Sequence, residues 1–267
     1  MIDQANFKKF TGTLNDSYFP EILYKYRNWD SLSNKRFILN REIFLAPTSS
    51  FEDKKDCKNP IRYDLLTDEQ TVEFYIKISK KENILFSEQE HQIEAKTWAN
   101  KKLFKDSSKI ESYTINLEKE YDSRNGILSL TAEPCLNKMW NKYANNNKGF
   151  CIGYNSRIIF DYLGGGGQVK YFEELPTILP NPIMSSEEIH FYQLFAKEKK
   201  WDFEKEYRTH KFWKNPIEIK DRQISLPKEA FNCIILGSRI SIENKDDLIK
   251  SVKKHIGDIP IIERKTS

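Results

Sequence analysis

Apolar positions fall in short blocks separated by polar and charged stretches. ILYKYR (residues 22–27) and EIFLA (42–46) read as strands, the second ended by Pro47 and a Ser-rich turn. Between them, DSLSNKRFILN reads as a short helix with Asp30 near its cap. Residues 68–104 carry helical patterning, in DEQTVEFYIKISKK and then SEQEHQIEAKTWANKKLF, but polar faces dominate both. That places the block outside the main sheet, as a helical elaboration spanning residues 60–120.

After Gly126 the texture changes. ILSLT (127–131), GFCIGY (149–154), QVKYF (168–172), EKEYRTHKF (204–212) and AFNCIILG (230–237) read as strands, and IPIIE as a final short one. LNKMWNKYANN is an amphipathic helix with Leu136, Met139, Trp140, Tyr143 and Ala144 on one stripe. RIIFDYL runs into Gly164 to Gly167, a glycine run that reads as a turn. SSEEIHFYQLFAKEK is a helix that Ser185 or Ser186 can cap, and NKDDLIKSVKKHI is the last helix. Short strands mixed with helices, without regular βαβ spacing, predict one compact α+β domain with a mixed, partly antiparallel sheet.

Composition sharpens this picture. Across 267 residues, 39% are apolar and 31% charged, yet 17 Phe, 13 Tyr and 5 Trp supply bulk for a core. A chain this long buries roughly 70–75% of its unfolded surface and needs no disulfide or metal staple. The net charge of +4 is too small for a dedicated DNA coater. Cys57, Cys135, Cys151 and Cys233 form no CxxC pair and read as free thiols. With no apolar leader in MIDQANFKKFTGTLNDSYFP and no long apolar run, the expected location is the cytoplasm and no membrane partner is expected.

Common catalytic signatures are missing. The chain has no GxxxxGK[ST] loop, no GxGxxG between strand and helix, no HExxH and no GxSxG elbow. His91, His190, His210 and His255 lie far apart in sequence, so no metal is expected.

Three segments carry candidate chemistry. In WDFEKEYR (201–208), strand alternation puts Glu204, Glu206 and Arg208 on one face. They form either a solvated edge face or a carboxylate pair at a cleft mouth, one stabilising a developing cation and one orienting a nucleophile. In LYKYR (23–27), Tyr24, Tyr26 and the nearby Trp29 surround Lys25 and Arg27, which reads either as core aromatics with flanking surface charge or as an arginine beside aromatics that suits a phosphate-bearing, flat-ringed ligand. In the segment 129–154, Met139, Trp140 and Tyr143 fit a core stripe, while the hydroxyls of Ser129 and Thr131 can face a ligand.

Taken in order, LYKYR, NREIFLAPTSSFEDKKDC, ILSLT with MWNKYANNNKGFCIGY, VKYF, KKWDFEKEYR and FNCIILGSRIS resemble the bacterial domain-of-unknown-function 2971 family over about residues 22–240. That family has a turn like FNDPFDC where this chain has Phe51 to Cys57, without the Asn and the Pro. The block order more distantly resembles ADP-ribosyltransferases. That resemblance implies NAD as substrate, loss of nicotinamide through an oxocarbenium-like transition state, and no metal. It implies Glu206 on the ribose and the developing cation, Glu204 on the nucleophile and Arg27 on the pyrophosphate. Tyr143 or Trp140 would stack the nicotinamide, with Tyr24, Ser129 and Thr131 completing the NAD site. An NAD-consuming ADP-ribosyltransferase or NAD glycohydrolase of the toxin or phage-defence type is the first reading, its acceptor open among a protein side chain, a nucleic-acid base, a small molecule and water.

Two other classes stand beside it. A nucleic-acid-directed defence effector is motivated by the basic, aromatic stretch Lys197–Lys214. A non-catalytic ligand- or partner-binding module is the third.

Overall fold

The computed structural model describes residues 19–265. The leader-free reading of the N-terminus falls mostly on residues 1–18, which lie outside the described residues. The chain is an α+β fold around a seven-stranded mixed sheet. In spatial order the strands are β11 (Ile261–Glu263), β10 (Phe231–Leu236), β4 (Phe150–Asn155), β1 (Ile22–Arg27), β3 (Asn125–Thr131), β8 (Glu206–Phe212) and β5 (Gly167–Gln168). Only β10 and β11 run parallel within it; the other neighbours are antiparallel. No helix of the described residues is long and apolar enough to cross a membrane.

One face of the sheet buries the main core. Leu23, Leu128, Leu130, Ile152 and Ile234 project there, against Phe37 and Ile38 of α1 (Leu32–Leu39), Phe160 of α6 (Ser156–Leu163) and Val252 of α8 (Ile242–His255). The apolar stripe of α6 supplies Ile159, Phe160 and Leu163, and Gly164 ends the helix at φ 87°, a left-handed value open to glycine. The glycine run is thus a helix stop. The opposite face carries a smaller cluster, in which α5 (Asn137–Tyr143) lays Met139 and Trp140 on Tyr26 and Cys151.

Caps set most helix starts. Ser31, not Asp30, caps α1. Thr67–Gln70, Ser87–Glu90 and Ser185–Glu188 form capping boxes for α2 (Asp68–Glu82), α3 (Glu88–Ala99) and α7 (Ser186–Leu194). Helices α2 and α3 contribute nothing to the sheet cores; Tyr75 of α2 stacks on Phe104 and on Trp98 of α3. The third helix of this region, α4 (Ser107–Arg124), has no fully buried residue, which is why no stripe announces it in the sequence.

Three sequence expectations shift. QVKYF divides at Val169: β5 joins the main sheet, while β6 (Lys170–Phe172) pairs in parallel with β7 (Ala196–Glu198). The helix read through Lys199 stops at Leu194, so Lys197 lies on β7. The strand read from Glu204 begins at Glu206, because Lys205 turns left-handed at φ 43° after a 3₁₀ turn that holds Glu204.

Candidate functional site

The sheet is split at its centre. β1 pairs with β4 along its whole length, Ile22 to Arg27, and β3 pairs with β8 from Asn125 to Thr131. Between β1 and β3 there is a single register pair, Tyr24 with Thr131. Beyond it the strands diverge, and Ala46, just past β2 (Glu42–Phe44), bridges to Ile127 at the far end of the gap. A cleft of about 330 Å³ occupies this wedge. Its volume falls in the range of small-molecule sites, and its walls come from four distant parts of the chain.

The β1 wall is cationic. The Lys25 ammonium donates to the Ser129 carbonyl at 2.5 Å, a backbone acceptor left over by the split. The Arg27 guanidinium donates to its neighbour's carbonyl, Tyr26 O, at 3.0 Å and lies 4.5 Å over the Phe37 ring. Its Nε is buried without a partner. Neither cation has a carboxylate within salt-bridge distance among the described residues. Burial, then the neighbouring Arg27, pull Lys25 well below its ordinary value of 10.5; Glu206 and Glu204 across the cleft oppose this. Burial lowers Arg27 to about 10.

The opposite wall is a closed ionic network. Arg208, fully buried on β8, grips Asp56 through Nη2 at 2.8 and 2.9 Å and Glu206 through Nε at 2.6 Å. Lys197 reaches Glu204 at 2.6 Å, Glu206 at 2.9 Å and Asp56 at 3.2 Å. Three carboxylates thus surround two cations. Burial alone would raise Glu206, but Arg208 and Lys197 outweigh it and hold the carboxyl well below its ordinary value. Lys197 is raised despite its burial, chiefly by Glu206 and Asp56.

The two glutamates differ in what their oxygens still have to offer. Glu206 accepts three charge-assisted bonds, two from Arg208 and one from Lys197, that engage both of its oxygens. An ionised carboxylate has about four acceptor positions, so Glu206 has three of them taken, all by cations. Glu204 accepts from the Tyr143 hydroxyl at 2.7 Å and from Lys197 at 2.6 Å, which leaves it acceptor capacity. Both are buried, so neither is on a solvated edge face.

Of the sequence candidates, Tyr24, Arg27, Ser129, Thr131, Tyr143, Glu204 and Glu206 all line this cleft. Register explains part of the convergence, since Tyr24, Thr131 and Glu206 are successive cross-strand neighbours on one face. Trp140 does not join them. It is fully buried behind the wall, edge-on to Tyr26 at 5.1 Å, with its indole N–H on Pro134 O. The stacking expectation is therefore corrected to Tyr143, whose ring is only partly covered.

Sequence reasoning missed Lys25, Asp56 and Lys197 as site residues. Asp56 comes from the turn Phe51–Cys57, which also places Asp53 on the Trp201 indole at 2.7 Å. Lys197 reads as solvated in a charged AKEK run; only its strand position turns it inward. The stretch Lys197–Lys214 forms no continuous cationic groove, because Lys197 and Arg208 are internal and Tyr207 is in the core. His190 and His210, distant in sequence, meet with their Nε2 atoms 3.1 Å apart. No cluster of three or more potential metal ligands occurs among the described residues. No protein-family model, curated protein or solved structure matches the chain.

Proposed function

We propose that the cleft takes NAD, breaks its nicotinamide–ribose bond and passes the ADP-ribosyl group to a nucleophile, as an ADP-ribosyltransferase or NAD glycohydrolase does. The observation that carries this reading is the pair Lys25 and Arg27, set in a split of the sheet with no carboxylate on them among the described residues. An unpaired cation in such a place costs stability, and a phosphate is the chemical group that offsets it. A guanidinium beside an ammonium suits a pyrophosphate, and the rings of Tyr24, Tyr143 and Trp201 on the same cleft suit the flat bases at its ends.

The chemistry then falls to the opposite wall. As the bond between ribose C1′ and the nicotinamide nitrogen breaks, its electron pair leaves with the nicotinamide and C1′ becomes electron-poor. The wall's excess of one carboxylate over its cations favours that developing charge. The nucleophile bonds to C1′ and gives its proton to Glu204, the carboxylate with open acceptor positions. Glu206 serves as the fixed anchor of Lys197 and Arg208. This reverses the weight the two glutamates carry in the sequence reading, because Glu206 accepts three bonds, all from cations, and Glu204 only two.

The phosphate claim is tested by calorimetric titration with ADP-ribose and with adenosine. ADP-ribose is expected to bind at least about 100-fold more tightly, since two charge-assisted contacts are lost without the phosphates. Equal affinities, or no binding of either, would overturn it.

A further inference from the structure

Behind the turn that supplies Asp56 lies a second cavity, of about 280 Å³. The turn separates the two spaces: Asp56 lines the cleft, and the next residue, Cys57, lines this cavity. Its body is apolar, built by Pro60, Ile61, Tyr63 and by Leu117 and Tyr121 of α4. Two hydrogen-bond donors on that helix, the Tyr121 hydroxyl and the Arg124 Nε, are buried with no partner among the described residues. Buried donors without acceptors are rare in folded proteins, and two on adjacent turns of one helix wall call for an acceptor from outside. Burial pushes the Tyr121 phenol up, so it remains a neutral O–H donor. The charged rim residues balance: Lys58 and Arg124 against Glu118 and Glu120.

We infer that this cavity is a second ligand site, for a small, uncharged, mainly apolar molecule carrying a carbonyl oxygen that accepts from Tyr121 and Arg124. A balanced rim gives no advantage to an anion or a cation. The apolar body supplies the affinity, and the paired donors select for the acceptor. The inference does not depend on NAD chemistry in the cleft.

The test uses two fluorescent naphthalenes of nearly the same shape. 6-Propionyl-2-(dimethylamino)naphthalene carries a ketone whose emission responds to hydrogen bonding; 6-propyl-2-(dimethylamino)naphthalene has a methylene in its place. The whole protein is expected to bind the ketone saturably at one site, and at least about fivefold more tightly than the ketone-free probe. Tyr121→Phe keeps the volume and should bring the two affinities close together. Leu117→Arg, at a partly exposed helix position, should block both. If it fails to fold, the Tyr121→Phe comparison decides alone. Ketone binding unchanged in Tyr121→Phe, or retained in a folded Leu117→Arg protein, overturns the site.

Discussion

On the β8 side of the cleft, Arg208 and Lys197 knit Asp56, Glu204 and Glu206 into a network in which each charge has an opposite partner. On the β1 side, the partners of Lys25 and Arg27 among the described residues are backbone carbonyls and a phenyl ring. The β1 cations are half-buried and the charges of the opposite wall are buried, yet it is the pairing that separates the two walls most sharply. The difference teaches that charge on the first wall is answered by the fold, whereas charge on the second meets no carboxylate among the described residues. The first wall should therefore be read in stability and the second in binding.

Arg208 gives the largest contrast. Arg208→Met leaves Asp56 and Glu206 short of their main cation, and is expected to cost about 3–5 kcal/mol in urea unfolding. Arg27→Met removes a cation that has no carboxylate, and is expected to change stability by less than about 1 kcal/mol. Equal losses in the two variants would erase the distinction between the walls.

Glu206 extends the comparison to pH. Its folded pKa lies below the ordinary 4.5, so its contribution is complete above that value and drains away as pH falls through the folded value. Glu206→Gln should lower stability at neutral pH and flatten the acid decline below 4.5. A variant with the wild-type acid slope would show that the network does not depress this carboxyl.

Lys25 should behave in the opposite sense and more weakly. Its folded pKa lies below 10.5, so it opposes folding at low pH, and that penalty lifts as pH rises from the folded value towards 10.5. Lys25→Met should leave stability at pH 7 unchanged or slightly higher, and weaken ADP-ribose binding about tenfold, or 1.4 kcal/mol. A large loss of stability with unchanged binding would assign Lys25 to the scaffold.

How much of this was legible in the sequence follows from the range of the forces involved. Local signals worked: the strands at 22–27 and 231–236, the capped helices α2, α3 and α7, and the buried stripe of Met139 and Trp140 all depend on periodicity and caps. The convergence of Tyr24, Arg27, Ser129, Tyr143, Glu204 and Glu206 was legible as an order of motifs, since successive strands of one sheet bring their ends together. The ionic network was not. Asp56 and Lys197 sit in charged runs indistinguishable from solvated surface, and only tertiary pairing with Arg208 and Glu206 turns them inward. Nor was the split between β1 and β3, because no local pattern records where two strands stop pairing. Glu204 was placed in the site for a partly wrong reason: it lies on a 3₁₀ turn, and Tyr143 and Lys197 hold it there.

The most direct test of the central claim is nicotinamide release from NAD by the purified protein, with and without cell extract as a source of acceptors, for wild type and Glu204→Gln. The expected result is release by wild type and a drop of about 100-fold or more in the variant, equivalent to about 2.7 kcal/mol of transition-state stabilisation. ADP-ribose affinity should stay close to wild type, because the proposal puts Glu204 on the nucleophile and not on the phosphates, while the melting temperature should fall with the loss of the Lys197 pair and is followed to show that the variant is folded at the assay temperature. A wild-type protein that releases no nicotinamide under either condition, or a Glu204→Gln variant that releases it at the wild-type rate, would contradict the account.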